Sequence, residues 1–156
     1  MAIDAARLPT RALRSGSVAY RLFRRFSPDG SVRGPWFFSS AGSSSAGRFD
    51  LPMPRGTCYF ASTAIGAWLE VFGSVRVVDP VDVRRRALAR AVRSGGDLRL
   101  VDLASRRAAV AGASLDLTAG DDYSEAQEVA RQADARGAAG IRALLRRDPS
   151  GSSHNL

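Results

Sequence analysis

The pattern of apolar and polar residues along the chain predicts a mixture of strands and helices. Helical periodicity covers residues 81–94 (VDVRRRALARAVRS) and a shorter stretch, residues 105–114. The alternation and the β-branched or aromatic residues typical of strands occur in VAYRLF (18–23), TCYF (57–60), VRVV (75–78), LRLVDL (98–103) and GIRALL (140–145). Because these elements are mixed irregularly and no repeat is present, the pattern predicts a compact α+β domain.

Two more helices are predicted from the residues at their ends. Ser62 is the expected N-cap of a helix that stops at Gly73. Ser124 and Gln127 have the spacing of a capping box, in which the two side chains satisfy the first backbone N–H groups of a helix. That second helix is predicted to follow as EAQEVARQADA.

The length of 156 residues is that of one domain with its own core. We expect this domain to cover residues 17–148. Residues 1–16 are expected to be a loosely ordered lead-in, and residues 149–156 form a polar C-terminal tail in which order is not expected.

The net charge of +8 comes entirely from arginine, because the chain has 23 basic residues and no lysine. Arginine enrichment is explained either by a biased nucleotide composition or by a need to bind phosphate and carboxylate groups. Residues 1–60 carry nine arginines and three aspartates, a balance of +6, so most of the excess lies in this part. The charge indicates a preference for anions and leaves nucleic acid, nucleotides and acidic proteins open as partners.

The residues suited to metal binding and nucleophilic catalysis are few. Cys58 is the one cysteine and His154 the one histidine, which excludes an internal disulfide and argues against a metal site and cysteine–histidine catalysis. No stretch is long and apolar enough to predict a membrane span, and we expect a cytoplasmic protein. The arginine-rich segment 84–93 is interpreted as the solvated face of a helix, because it lacks interleaved aromatic residues.

Glu70 is the residue that this pattern does not explain. It lies near the end of the predicted helix, whose other polar residues, Ser62 and Thr63, stand at its start. A helix that is apolar nearly all round is normally buried, and a buried carboxylate is costly unless it is paired. Glu70 is therefore predicted either to form a structural ion pair with an arginine or to be held in a cleft for a substrate.

Two nearby residues favour a binding site. Arg48 follows a glycine that permits close backbone approach, and Tyr59 ends the strand that leads into the helix of Glu70. The three residues make a poor hydrolase triad, because none is a strong base or nucleophile at neutral pH. They suit a phosphorylated sugar, with arginine for the anion, tyrosine for stacking and glutamate for a ribose hydroxyl.

This segment resembles the RES family, named for its arginine, glutamate and serine. The resemblance rests on the succession GRFD, PMPRGTCYFAS and AIGAWLE, and extends more loosely from VAYRLF to GIRALLRRDPS. It implies an ADP-ribosyltransferase-like mixed sheet with flanking helices. It also implies that the family's arginine, tyrosine and glutamate fall on Arg48, Tyr59 and Glu70, and that a further arginine of the first strand falls on Arg21.

The resemblance implies a toxin that degrades NAD by cleaving the nicotinamide–ribose bond with phosphate or water. NAD is then the substrate, inorganic phosphate a possible co-substrate, and no bound cofactor is implied. The implied roles are stabilisation of positive charge on the ribose by Glu70, phosphate binding by Arg48 and Arg21, and packing on the ribose by Tyr59. The implied partner is an antitoxin with a helix-turn-helix domain, through which alone the toxin would contact nucleic acid.

One of the three residues that give the family its name, the serine, is not found at the matching position of this chain. The family's serine falls on Leu145, and the apolar strand that usually closes family members is expected to be missing after SSHNL (152–156). Ser150 and Ser152 are the hydroxyls nearest to that position. Two alternatives stay open beside NAD breakdown: transfer of ADP-ribose to a protein, and a non-enzymatic basic module that binds nucleic acid or an acidic partner. A homo-oligomer is also compatible with the sequence.

Overall fold

The computed structural model describes residues 3–42, 46–114, 116–148 and 154–156. Strands and helices are mixed along these residues, which confirms the predicted α+β class. A 3₁₀ turn covers Ala5–Arg7. The strands are β1 Thr10–Leu13, β2 Val18–Arg24, β3 Arg86–Val92, β4 Leu98–Asp102, β5 Gly140–Leu144 and β6 His154–Asn155. The helices are α1 Ala64–Phe72, α2 Pro80–Arg84, α3 Arg106–Val110, α4 Asp116–Ala119 and α5 Ser124–Ala135.

The strands form two sheets that one extended segment connects. The larger sheet has the order β1-β4-β5-β6, and the smaller consists of β2 and β3. Ala61 exchanges two backbone hydrogen bonds with Tyr20 of β2, at 2.7 and 2.8 Å. Phe60 exchanges two with Leu156, and Ser62 N donates to His154 O at 2.8 Å. Residues 60–62 therefore lie between the two sheets, and α1 follows them after its N-cap, Thr63.

The main core is built from small side chains of α5 and apolar residues of the larger sheet. Ala126, Val129, Ala130 and Ala133 are buried along one side of α5. They pack in one cluster with Val101 of β4 and other buried residues of the sheet and of the N-terminal segment. Alanine at three of these four positions lets the helix backbone lie close to the sheet. No helix among the described residues has the length and apolar character needed to cross a membrane.

The N-terminal segment is ordered from residue 3, so the predicted loose lead-in over residues 1–16 is wrong for the part that the structure describes. Ile3, Ala5 and Leu8 are buried in the main core. Strand β1 pairs antiparallel with β4, with Thr10 opposite Val101. The residues of β1 show no alternation of apolar and polar side chains, because β1 lies at the edge of the sheet with its side chains mostly exposed.

The predicted helix over residues 81–94 is also wrong. Only Pro80–Arg84 is helical, and Arg86–Val92 forms strand β3, antiparallel to β2. The alanine- and arginine-rich stretch RALARAV fits either period, and pairing with β2 decides in favour of the strand. The predicted strand over residues 75–78 does not form, and Val77 is 85% exposed.

The C-terminus differs from the prediction as well. His154–Asn155 forms β6, which pairs antiparallel with β5 and continues to Leu156 beside Phe60. Burial lowers the pKa of His154, with a further contribution from the charge of Arg142. The expected disorder of the tail is therefore wrong for residues 154–156, whereas residues 149–153 lie outside the described residues.

Candidate functional site

A cavity of about 350 Å³ opens where the two sheets meet α1. The four predicted site residues, Arg21, Arg48, Tyr59 and Glu70, all line it, although they come from four different segments of the chain. A second, wider groove of about 1030 Å³ has mainly apolar side chains and includes neither Arg48 nor Glu70. The smaller cavity is therefore the one in which Arg48 and Glu70 lie together.

Glu70 lies in the last turn of α1. The helix begins one residue later than predicted, since Thr63 is the N-cap and its side chain accepts a hydrogen bond from Gly66 N at 2.9 Å. The expectation that α1 is buried all round is wrong: Gly66, Ala67 and Phe72 are buried, whereas Ile65 is 62% exposed. The helix thus packs through one face and leaves Glu70 exposed at the cavity.

The carboxylate of Glu70 has no hydrogen bond or ion pair with any residue that the structure describes. Its charge makes a small contribution to the raised pKa of Tyr59, which comes mainly from burial. The structural ion pair, which was one of the two interpretations of this residue, is therefore not formed. As far as the described residues are concerned, both oxygens of the carboxylate are open to a ligand in the cavity.

Arg48 projects from the GRFD loop (47–50) towards α4 and α5. Its guanidinium carbon lies 4.6 Å from the centre of the Tyr123 ring, and Nη1 donates to the carbonyl of Asp116 at 3.3 Å. Stacking on an aromatic ring leaves the edge of a guanidinium group open to an anion. Arg48 is thus held in place without an acidic partner among the described residues.

The GRFD loop is organised by Asp50, a residue that the sequence analysis missed. This aspartate is fully buried, at 0% exposure. Its carboxylate accepts hydrogen bonds from Tyr59 Oη at 2.8 Å, Ser39 Oγ at 2.9 Å and Gly47 N at 2.6 Å. Three donors satisfy a buried charge that would otherwise be costly. The only indication of this role in the sequence is that Asp50 directly follows an aromatic residue, Phe49.

The two residues that flank Arg48 are both fixed by this network. Gly47 donates its N–H to Asp50 and accepts a hydrogen bond from Gln127 Nε2 at 3.2 Å. Phe49 N donates to Tyr59 Oη at 2.8 Å. A side chain at Gly47 could not fit, because its Cβ would lie 2.5 Å from Tyr59 Oη. The position of Arg48 is therefore set by its neighbours in the chain.

Gln127 also shows that the predicted capping box is wrong. Helix α5 has Tyr123 as its N-cap and no side-chain capping bond, and Ser124 is its first residue. The Ser124 N–H donates instead to Asp122 Oδ1 at 2.8 Å. The side chain of Gln127 is thereby available for the carbonyl of Gly47, and it ties α5 to the GRFD loop.

The hydroxyl of Tyr59 is engaged with the protein itself. It donates to Asp50 and accepts from Phe49 N, each at 2.8 Å. Burial and the neighbouring charge of Asp50 raise the pKa of Tyr59 well above its ordinary value, so the phenol stays protonated. The part of Tyr59 that remains for a ligand is its ring.

Arg21 is also engaged on the protein side. Its Nη1 donates to the carbonyls of Pro35 at 2.6 Å and Phe37 at 2.8 Å and contacts Cys58 Sγ. Burial raises the pKa of Cys58 above its ordinary value despite the nearby arginine, so the thiol stays protonated. Within the segment TCYF that carries Cys58, only Thr57 forms a β-bridge, with Ser39, so the predicted regular strand does not form.

The segment that follows β5 adds residues that the sequence analysis did not assign to the site. Arg146 and Arg147 line the cavity, as does Tyr123 from the start of α5. Leu145 is 4% exposed and packs with Ala61 and Ala67, so an apolar core residue occupies the position where the family's serine was sought. Ser150 and Ser152 lie outside the described residues.

Comparison with known proteins identifies the family. No curated protein is matched. The fold is similar to that of the MbcT toxin in the crystal structure of the M. tuberculosis MbcT–MbcA toxin–antitoxin complex, with a TM-score of 0.64 and 19% sequence identity. The similarity covers 93% of this chain and 75% of that one. Residues 18–156 match the RES domain, and the chain therefore belongs to the RES domain family.

Proposed function

We propose that this protein cleaves the nicotinamide–ribose bond of NAD, with inorganic phosphate or water as the acceptor, and acts as the toxin of a toxin–antitoxin pair. The observation that carries the proposal is the position of the Glu70 carboxylate. It has no partner among the described residues and shares one cavity with Arg48. The carboxylate is suited to stabilise the positive charge that develops on the ribose. The guanidinium is suited to bind the negatively charged phosphate groups.

The proposed reaction does not need a histidine as general acid or general base. The acceptor oxygen bonds to C1′ of the nicotinamide ribose while the C1′–N bond breaks. The bonding electron pair neutralises the pyridinium nitrogen, so nicotinamide leaves without a proton. When water is the acceptor, its proton passes to solvent. Positive charge spreads over the ribose in the transition state, and Glu70 stabilises that charge electrostatically.

The other predicted residues take roles that agree with their contacts. Arg48 binds phosphate oxygens of the substrate, since its guanidinium edge is available beside the Tyr123 ring. Tyr59 contributes its ring to the substrate site and positions Arg48 through its hydroxyl. Arg21 supports the site by holding the backbone at Pro35 and Phe37. This differs from direct phosphate binding by Arg21, which the family resemblance implied.

The proposed partner is an antitoxin with a helix-turn-helix domain. Support comes from membership of the RES domain family and from the similarity in fold to a toxin solved together with its antitoxin. An acidic surface on the antitoxin would complement the net charge of +8. Contact with DNA is then a property of the antitoxin and not of this chain.

The function is tested by incubation of the purified protein with NAD, with and without inorganic phosphate. Chromatography should show release of nicotinamide, together with ADP-ribose from water or its 1″-phosphate from phosphate. Mass spectrometry of the protein fraction detects transfer to a protein acceptor instead. NAD that remains intact under all conditions would contradict the proposal, and binding to nucleic acid that falls steeply with salt would favour a basic binding module.

Arg48→Ala is expected to weaken substrate binding more than turnover. Loss of charge-assisted hydrogen bonds should raise the KM for NAD or for phosphate by roughly 10- to 100-fold. Arg25→Ala is the matched control, because Arg25 stacks on Phe26 at 5.6 Å in a similar way and does not line the cavity. Steady-state kinetics check the result, and unchanged KM values for both substrates in Arg48→Ala would rule out its role in anion binding.

A further inference from the structure

The charge of the cavity is strongly positive. Among its described lining residues, the basic ones are Arg21, Arg48, Arg146 and Arg147, and the one acidic residue is Glu70. The Nη1 group of Arg21 is bonded to backbone carbonyls, which removes part of its capacity to bind an anion. Most of the remaining positive charge therefore comes from Arg48 and from the segment after β5.

Arg147 is fixed beside the turn of α1 that carries Glu70. Its Nη1 donates to the backbone carbonyl of Glu70 at 3.1 Å. Its aliphatic stem packs against Gly73, where an added Cβ would lie 2.8 Å from Arg147 Cδ and 2.9 Å from Arg147 Cβ. The glycine that ends the helix thus provides the space in which the arginine lies. Arg147 is half-buried, its aliphatic part is packed and its guanidinium group is hydrogen-bonded. The side chain is therefore held in one position.

Most of the donors on Arg147 remain available. A guanidinium group has five N–H donors in a planar fork, and the bond to Glu70 O uses one of them. No carboxylate forms an ion pair with Arg147 among the described residues. The neighbouring Arg146 does have an acidic partner, Asp121, but both of its contacts are long, at 3.3 Å, and the Asp121 side chain is 93% exposed.

We propose that Arg147, assisted by Arg146, forms a second anion subsite in the cavity, separate from that of Arg48, and that it binds a phosphate group next to Glu70. The proposal rests on the proposed function and deepens it. A phosphate held at Arg147 lies beside the helical turn that stabilises the charged ribose. That phosphate is either the inorganic phosphate that attacks C1′ or a phosphate of the dinucleotide.

The proposal is tested first by direct binding, which does not depend on turnover. Isothermal titration of Arg147→Gln with inorganic phosphate and with ADP-ribose should show at least one dissociation constant raised by roughly tenfold or more. Glutamine keeps a donor for the Glu70 carbonyl and removes the charge, so a purely structural role of Arg147 would leave binding unchanged. Arg107→Gln, an exposed arginine of α3 outside the cavity, is the control.

The two ligands distinguish the source of the phosphate. Weaker binding of inorganic phosphate alone identifies a site for the acceptor, and weaker binding of ADP-ribose identifies a contact with the diphosphate. Asp121→Asn should tighten binding of the same ligand by up to about fivefold, because it releases Arg146. Wild-type affinity of Arg147→Gln for both ligands would overturn the subsite. Weakened binding in a protein that leaves NAD intact would instead uphold the subsite and contradict the proposed reaction.

Discussion

Glu70→Gln should lower the rate of NAD cleavage by about 10³-fold and leave the fold intact. The amide cannot stabilise positive charge on the ribose as the carboxylate does, although it has nearly the same shape. The stability should change by less than about 0.5 kcal/mol, since Glu70 is exposed and makes no side-chain bond with the described residues. Release of nicotinamide measures the first effect and thermal unfolding the second.

The control for this variant is Glu125→Gln, which removes the same charge from an exposed position in the first turn of α5, outside the cavity. It should cleave NAD at the wild-type rate. Comparable turnover in Glu70→Gln and Glu125→Gln would refute the assignment of Glu70 as the catalytic carboxylate. A loss of activity together with a large fall in melting temperature would show that Glu70 acts through the fold, contrary to its exposure.

Asp50→Asn should be the most destabilising conservative substitution in the site. The amide nitrogen of asparagine would face a donor, so at least one of Tyr59 Oη, Ser39 Oγ and Gly47 N would lose its acceptor in a buried place. We expect a loss of about 3 kcal/mol in the free energy of unfolding. For a chain of this length, this corresponds to a fall of roughly 6–12 °C in melting temperature.

The same variant should raise the KM for NAD, because Arg48 depends on the positions of Gly47 and Phe49. Asp29→Asn is a close control. Asp29 also accepts bonds from a backbone N–H and a serine hydroxyl, both of Ser31, but it is exposed to water. It should change stability by less than about 0.5 kcal/mol. Equal melting temperatures for Asp50→Asn and Asp29→Asn would contradict the network described around Asp50.

The sequence determined those features whose signal is local. Strands β2, β4 and β5 were predicted because their apolar residues alternate over a continuous run, and helix α1 because a cap, an apolar stretch and a terminal glycine follow one another. Arg48, Tyr59 and Glu70 were named from their chemistry and order along the chain. The structure brings all three to one cavity.

The tertiary structure decided every feature that depends on a distant partner. The segment of β3 is a strand and not the predicted helix, because it pairs with β2. Strands β1 and β6 form because they pair with the edges of β4 and β5. The exposure of Glu70 followed from the single face through which α1 packs. The roles of Asp50 and Arg147 arise from contacts across 9 and 77 residues. Periodicity and capping report the preferences of neighbouring residues, whereas pairing and burial depend on which segments the chain brings together.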